Sequence, residues 1–299
     1  MSPAERTPHT PAATSGASGQ STAGRLAAIA VCPVCGGELR AGDRTVRCAA
    51  GHAFDLARQG YVNLLTGRTA GTADTAAMVA ARAAFLDAGH YAGLARHLGG
   101  RAAALAPAGP VLDAGAGTGH YLAAVLDGRG AGTGLALDVS KYAARRAARA
   151  HPRVVAAVAD VWHRLPVRGG VAAVVLNVFA PRNAEEFARV LAPGGVLLVA
   201  TPAPGHLAEL VAAAGMLDVD ARKDDRLSAA LSGRFTEVER AEVRMPLRLD
   251  RAAAEQAVLM GPSAHHLSPA DVTASVAALP EPIAATASVV VTAWRPRVA

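Results

Sequence analysis

Three features of the sequence predict an α/β fold, with a doubly wound parallel sheet and a small metal-binding module ahead of it. From Pro110 onward, apolar strand-like runs alternate with helical ones. A glycine-rich turn, "VLDAGAGTGHY", follows the first of those runs. All three cysteines of the 299-residue chain fall between Cys32 and Cys48, and His52 closes the group.

The elements follow in order. Met1–Gly24 is rich in Ser, Thr, Pro, Ala and Gly and reads as a disordered tail. It has neither the basic start nor the apolar stretch of a secretory signal. Three cysteines cannot make a fully paired disulfide framework, so the expected compartment is the cytoplasm. No apolar run approaches the roughly 20 residues that a membrane span needs. The net charge of +6, carried almost wholly by arginine, suits a polyanionic partner.

The cysteine stretch has the spacing C-x2-C-x12-C-x3-H, with Cys32, Cys35, Cys48 and His52 as donors. Two donors on one tight turn can face a second such pair, which gives the closed tetrahedral set that zinc favours. With four protein ligands no position is left for substrate, so the expected zinc is structural. "ELRAGDRTVRC" reads as two short strands around Ala41–Asp43, and Phe54, Leu56, Tyr61, Val62 and Leu65 are expected to close a small core over the metal. The module is expected over residues 25–65, and Thr66–Ala76, low in apolar residues, is expected to be a mobile linker. The catalytic domain is expected over residues 77–299. It opens with helical spacing from Met78 to Leu98, broken near Asp87–Gly89.

"VLDAG", "GLALDVS", "VVAAVADV", "VAAVVLNVF" and "VLLVATP" then read as strands. "HYLAAVLDG", "KYAARRAARA" and "AEEFARVLAPGG" read as the helices between them. "FTEVERAEVRMPLRL" and "ASVVVTAWRP" read as an antiparallel pair ending the sheet. Ligands of such sheets lie at the carboxyl ends of the strands.

The turn Asp113-x-Gly115-x-Gly117-Thr118-Gly119 differs from the dinucleotide fingerprint, because its third glycine comes one residue early and His120 takes that place. It also lacks the Lys-Ser/Thr of a phosphate-binding loop. The pattern resembles motif I of S-adenosylmethionine-dependent methyltransferases of the Rossmann-like class I. Asp138, ending the next strand, can accept both ribose hydroxyls; its bland alternative is a helix cap, which Ser140 could supply instead. Asp160 ends the third strand, where many such enzymes contact the adenine amino group.

In combination, the Cys32/Cys35/Cys48/His52 set, "FDLARQGYVNLL", "ARAAFLDAGHY", "VLDAGAGTGHY", "HRLP", "APRNAEEFARVLAPGGVLLVATPAPGHLAEL" and the closing "WRP" resemble the 23S rRNA (guanine-N1)-methyltransferases. The resemblance covers nearly everything from Cys32 onward. It implies transfer of a methyl group from S-adenosyl-L-methionine to N1 of a guanine in a 23S rRNA hairpin near the peptide exit tunnel. It also implies cofactor contacts at Tyr91 and His206. The alanine- and arginine-rich composition favours the branch that modifies guanine 748 and confers resistance to tylosin- and mycinamicin-type macrolides. The alternatives are the housekeeping branch, acting on guanine 745, and a small-molecule methyltransferase with an accessory zinc module. A homodimer is a further expectation.

Guanine N1 lies on the pairing edge and carries a proton near neutral pH, so the base must be unpaired and the proton removed. Phe179 is expected to stack on it, Asp160 or His163 to take the proton, and Asn177 with Phe179 to set branch-specific handling. Arg40, Arg44, Arg47 and Arg58 are expected phosphate contacts on the zinc module, which the linker would let close over the hairpin.

Overall fold

The computed structural model describes residues 20–67, 69, 73–214 and 223–297. Most of the expected tail therefore lies outside the described residues. Its end does not: Ser21 caps a helix α1 (Thr22–Ile29) through Gly24 N–H, so the expected boundary at residue 24 falls inside a helix. Ala23, Leu26, Ala27 and Ile29 give that helix a buried face.

Three short strands follow, β1 (Leu39–Ala41), β2 (Thr45–Cys48) and β3 (Ala53–Asp55), paired as an antiparallel ribbon. Next, β4 (Tyr61–Asn63) leaves the ribbon and pairs in parallel with β7 (Val154–Val158) at the edge of the main sheet. Thr75 caps α2 (Ala76–Asp87), and α3 (Ala92–Leu105) follows after the expected break.

The main sheet contains β4, β5 (Val111–Ala114), β6 (Gly134–Asp138), β7, β8 (Ala172–Val178), β9 (Leu191–Pro202), β10 (Phe235–Leu249) and β11 (Ile283–Pro296). Its order is β10-β11-β9-β8-β5-β6-β7-β4. β4 to β9 are parallel, and β10 and β11 run antiparallel, as the sequence predicts. The crossovers are α4 (His120–Arg129), α5 (Lys141–Ala147) and α6 (Ala184–Val190), followed by α7 (Ala208–Ala214) and α8 (Lys223–Ser232). The helix expected to run to Gly195 ends at Val190. Pro193 cannot continue it, and Leu191 pairs instead with Ala172 as β9 begins. Two alanine-rich helices that the sequence reading passed over, α9 (Arg251–Leu259) and α10 (Pro269–Ala277), fill the connection between β10 and β11.

The ribbon packs against the sheet domain. Cys32, Leu39, Val46 and Cys48 share one buried cluster with Leu165, Val167, Leu112 and Leu135 of the sheet domain. Val31 N–H donates to the Pro166 carbonyl, and Ala30 forms a bridge with Val167. The described end of the expected linker is also tied down. The Asp74 carbonyl accepts from Ser140 Oγ at 2.8 Å, and the Asp74 carboxylate pairs with Arg82. The ribbon, too small to bury its own apolar face, is thus docked on that of the sheet. Residues 68 and 70–72 of the expected linker lie outside the described residues. Among the described residues, no helix is long and apolar enough to cross a membrane.

Candidate active site and metal centre

In the ribbon, the turn after Cys32 and the turn after Cys48 bring four donors together. The sulfurs of Cys32, Cys35 and Cys48 and Nδ1 of His52 all lie within 4.8 Å of one another. Individual edges are 3.6 Å (Cys32–His52), 3.6 Å (Cys35–Cys48) and 3.3 Å (Cys48–His52). Zinc bonds of about 2.3 Å to sulfur and about 2.0 Å to nitrogen give tetrahedral edges of roughly 3.5–3.8 Å, so the donor set fits zinc. Burial opposes ionisation of Cys48, but hydrogen bonds from His52 prevail and bring its thiol down to about 6, towards the thiolate a metal needs.

The second cluster lies at the carboxyl ends of β5 and β6, next to the point between β5 and β8 where the strand order reverses. Gly115, Gly117 and Gly119 all have positive φ (88°, 53° and 79°). A Cβ on Gly115 would stand 2.4 Å from Ala180 Cβ, and one on Gly119 would meet the α5 backbone at 3.0 Å. The turn therefore requires glycine both for its angles and for its packing. Thr118 is buried within it. His120 opens α4 with Nε2 buried and unpartnered, and burial lowers its pKa.

Asp138 clamps the turn. Its Oδ2 accepts from Gly117 N–H and its Oδ1 from Ser140 N–H, each at 2.8 Å. Ser140, not Asp138, caps α5, which leaves the outer lone pairs of Asp138 available. Burial raises the pKa of Asp138, and the two backbone N–H groups work against that rise. Asp113 is 1% exposed, and its Oδ1 has no partner. Burial, and then the charge of Asp138, push it up to about 8. A buried and a half-buried carboxylate beside a glycine turn disfavour a pyrophosphate and favour a cationic ligand. The sulfonium and ammonium groups of S-adenosylmethionine fit this environment.

The sequence reading missed Arg82. Its guanidinium reaches the turn, 3.3 Å from where a Cβ of Gly117 would be, and is held by Asp74 and the Met260 carbonyl. The signal was present as the one basic residue on a mostly apolar helix, "AAMVAARAAFLD".

A third cluster is aromatic. Phe179 follows β8 with φ of 54° and is 42% exposed, an unusual combination for a large apolar residue. Its ring lies 6.4 Å from Tyr91, 6.4 Å from Tyr121 and 6.1 Å from His206. Tyr91 OH and His206 Nε2 are 3.1 Å apart, and His206 Nδ1 is 2.8 Å from the Ser288 carbonyl. A carbonyl only accepts, so Nδ1 carries the proton and Nε2 accepts from the tyrosine. Burial raises the tyrosine pKa and keeps its hydroxyl protonated.

The remaining sequence candidates separate. Asn177 is fully buried, and its Nδ2 donates to the carbonyls of Ala114 at 3.2 Å and Pro181 at 2.7 Å. Its donors thus brace the glycine turn against the Phe179 loop, rather than facing a substrate. Asp160 is buried, with Oδ1 accepting from Trp162 N–H and Oδ2 3.8 Å from Nε2 of the exposed His163. Arg40, Arg47 and Arg58 are exposed, and Arg40 lies directly across from Arg47. Arg44 instead donates to the carbonyls of Leu56 and Ala57, which holds the ribbon's end. A cavity of about 550 Å³ opens beside this site, between β4 and the start of α5. It is lined by Tyr61, Asn63, Asp74 and Ser140 among others, and none of the three glycines borders it.

Comparison with known proteins agrees with this geometry. Residues 30–68 match the zinc-ribbon model described as "RlmA, N-terminal", and residues 111–195 match one described as "Methyltransferase domain". The chain is 53% identical to the 23S rRNA (guanine(748)-N(1))-methyltransferase of Streptomyces fradiae, over 89% of this chain and 96% of the relative. It is 52% identical, over the same shares, to a protein of Micromonospora griseorubida named provisionally as a 23S rRNA (guanine-N(1)-)-methyltransferase. A Bacillus subtilis (strain 168) protein with the same provisional name is 35% identical over 60% of this chain and 66% of its own length. The chain belongs to the family of 23S rRNA (guanine-N1)-methyltransferases.

Proposed function

We propose that the protein transfers the methyl group of S-adenosyl-L-methionine to N1 of a guanine in 23S rRNA, and that the guanine is 748. The observation that carries this reading is the exposed ring of Phe179, on a backbone of positive φ, set beside Tyr91, Tyr121 and His206 at the mouth of a glycine turn flanked by the carboxylates of Asp113 and Asp138. The 53% identity to a guanine-748 enzyme supports the choice of position.

Bound at the turn, the cofactor supplies an electrophilic methyl group. Asp138 accepts the ribose hydroxyls on lone pairs that the backbone N–H groups leave open. Asp113 faces the cationic amino-acid end, and Arg82 balances that end's carboxylate. Tyr91 and His206 hold one another and wall the methyl-transfer side. Phe179 stacks on the flipped guanine and aligns N1 with the methyl group, and much of the rate comes from that alignment. Asp160 and His163, adjoining one another on the rim, form the path by which the N1 proton leaves. The structural zinc keeps the ribbon folded, and the ribbon carries Arg40, Arg47 and Arg58 towards phosphates. Two arginines directly across a strand pair repel, and an anion between them relieves that repulsion.

In this reading the protein works in the cytoplasm, where ribosomal RNA is, and the modification confers tolerance to tylosin-type macrolides. Primer extension on 23S rRNA treated with protein and cofactor tests it. N1 methylation blocks pairing, so the expected result is one new stop set by guanine 748. A stop set by guanine 745, or no stop, contradicts it.

A further inference from the structure

The segment Val161–Pro166 carries a second surface that the cofactor site does not use. Its backbone is held from below by buried or half-buried side chains. Asp160 Oδ1 accepts from Trp162 N–H at 3.0 Å. Asn183 Nδ2 donates to the carbonyls of Val161 and His163, each at 3.1 Å. Glu186 Oε2 accepts from Leu165 N–H at 2.8 Å, and Arg189 donates to the Leu165 carbonyl at 3.0 Å and to the Val167 carbonyl at 2.8 Å. The Pro166 carbonyl is taken by Val31 of the ribbon's entry. Leu165 is fully buried.

Against this anchoring, three consecutive side chains stand in solvent. Trp162 is 55% exposed, the His163 side chain is 61% exposed, and Arg164 is exposed. A loop held this firmly has no packing reason to present a tryptophan outward. The same apolar area would be favoured inside, as it is for Trp294, which is 3% exposed and bonded to Thr292. The loop also has a defined place. It follows β7, which ends at Val158, by way of Asp160, and its far end pairs with the ribbon's entry at Ala30–Val31.

We propose that Trp162, His163 and Arg164 form a rigid stacking platform for an unpaired base of the RNA substrate next to the guanine being methylated, with Arg164 on the adjoining phosphate. The inference rests on the RNA-methylating reading above and adds a specific contact to it. RNA outside regular helices is bound by stacking splayed bases on aromatic or cationic planes, and a tryptophan face with a neighbouring guanidinium is suited to that task. Pre-ordering by Asp160, Asn183, Glu186 and Arg189 removes the entropy cost of fixing the loop on binding. The ridge spans the chain between the end of β7 and the contacts that Pro166 and Val167 make with the ribbon's entry at Val31 and Ala30.

The two tryptophans differ in exposure, which makes the full-length chain its own reporter. Titration with a 23S rRNA hairpin oligonucleotide should quench the solvent-exposed part of the tryptophan emission, and a blunt duplex of the same stem should quench little. Trp162→Ala should lose the quench and weaken hairpin binding by about ten- to a hundredfold. Trp162→Phe should recover most of the affinity, and S-adenosylhomocysteine binding should be unchanged in both variants, which verifies their fold. If the Trp162→Ala chain binds the hairpin as tightly as the native one, or if the duplex quenches as much as the hairpin, the platform is wrong. If the native chain binds no hairpin at all, the RNA-methylating reading itself fails, a result distinct from either of those.

Discussion

In the zinc ribbon, strands of three and four residues are mostly exposed or half-buried, and the apolar side chains they bury are few, Leu39 and Val46 beside the cysteines. In the sheet, β5, β7 and β8 are buried at every residue, and helices cover both faces. The sheet can thus be held by burial of apolar area alone, whereas the ribbon needs its metal and the sheet face on which it rests. The two regions also differ in what they present. The sheet's strand ends offer buried carboxylates and tightly bonded polar groups suited to a small cationic cofactor. The ribbon offers exposed arginines suited to phosphates. The two regions therefore rest on different chemistry, and each should be removable without the other.

The largest separation is expected on breaking the metal site. Cys48→Ser leaves three donors, so the ribbon should lose its fold and the hairpin its grip. Calorimetry with S-adenosylmethionine should still find a site of nearly native affinity. Loss of both would mean that the sheet depends on the ribbon for more than its docked face.

The reverse separation comes from the rim. Asp138→Ala removes a charged hydrogen-bond acceptor and should weaken the cofactor by about 10- to 100-fold while sparing RNA affinity. 5′-Methylthioadenosine has the ribose but no carboxylate, so Asp138→Ala should weaken it too and Arg82→Met should not. Equal losses for both ligands in the Arg82 variant would place that arginine elsewhere than at the carboxylate.

A smaller effect is expected on the ribbon surface. Changing Arg40, Arg47 and Arg58 together to Ala should cost about tenfold in hairpin affinity and flatten the salt dependence by about two units of log–log slope. Arg44 is left in place because it holds the carbonyls of Leu56 and Ala57. An unchanged slope would move the phosphate contacts to the sheet domain.

The smallest effect is in pH. Asp113 titrates near 8 in the free protein, and a cationic ligand favours its ionised form. Affinity for S-adenosylmethionine should therefore rise with pH up to about 8 and level off above it, by at most about tenfold per unit. 5′-Methylthioadenosine, which has neither the ammonium nor the sulfonium, should show a shallower slope. The sign for folding is opposite. The folded carboxyl holds its proton above the ordinary value of 3.8, so its stabilising share is full below that value and is lost as pH rises through about 8. Equal pH slopes for the two ligands would remove Asp113 from the cationic end of the site.

Spacing made the metal set legible in the sequence, because four donors within 21 residues, and no cysteine elsewhere, leave few other uses. The strand–helix alternation and the Asp113–Gly119 turn were legible for a similar reason, since both are local patterns. What the sequence did not reveal depends on long-range contacts. Arg82 meets Gly117 across 35 positions, and Trp162 is marked only by its exposure, which no local pattern encodes. Asn177 was singled out by the departure of "LNVFAP" from the family's other branch, and its bond to the Ala114 carbonyl, 63 positions away, is a contact that no local pattern shows. The ribbon's docking was hidden too, since the glycine-rich Thr66–Ala76 resembles a free linker until Asp74 is seen bound to Ser140 and Arg82. Helix α10 had a local signal that was passed over, the cap Ser268 and Asp271, which bond one another at 2.6 Å.

The most direct test of the division between the halves is amide hydrogen exchange on the full chain, with and without a zinc chelator. If the ribbon is held by metal and the sheet by its core, chelation should strip protection from the amides of β1, β2 and β3 and leave those of β5, β6 and β8 at their native level. Ribbon protection that survives complete zinc removal, or sheet protection that falls with it, would contradict the account.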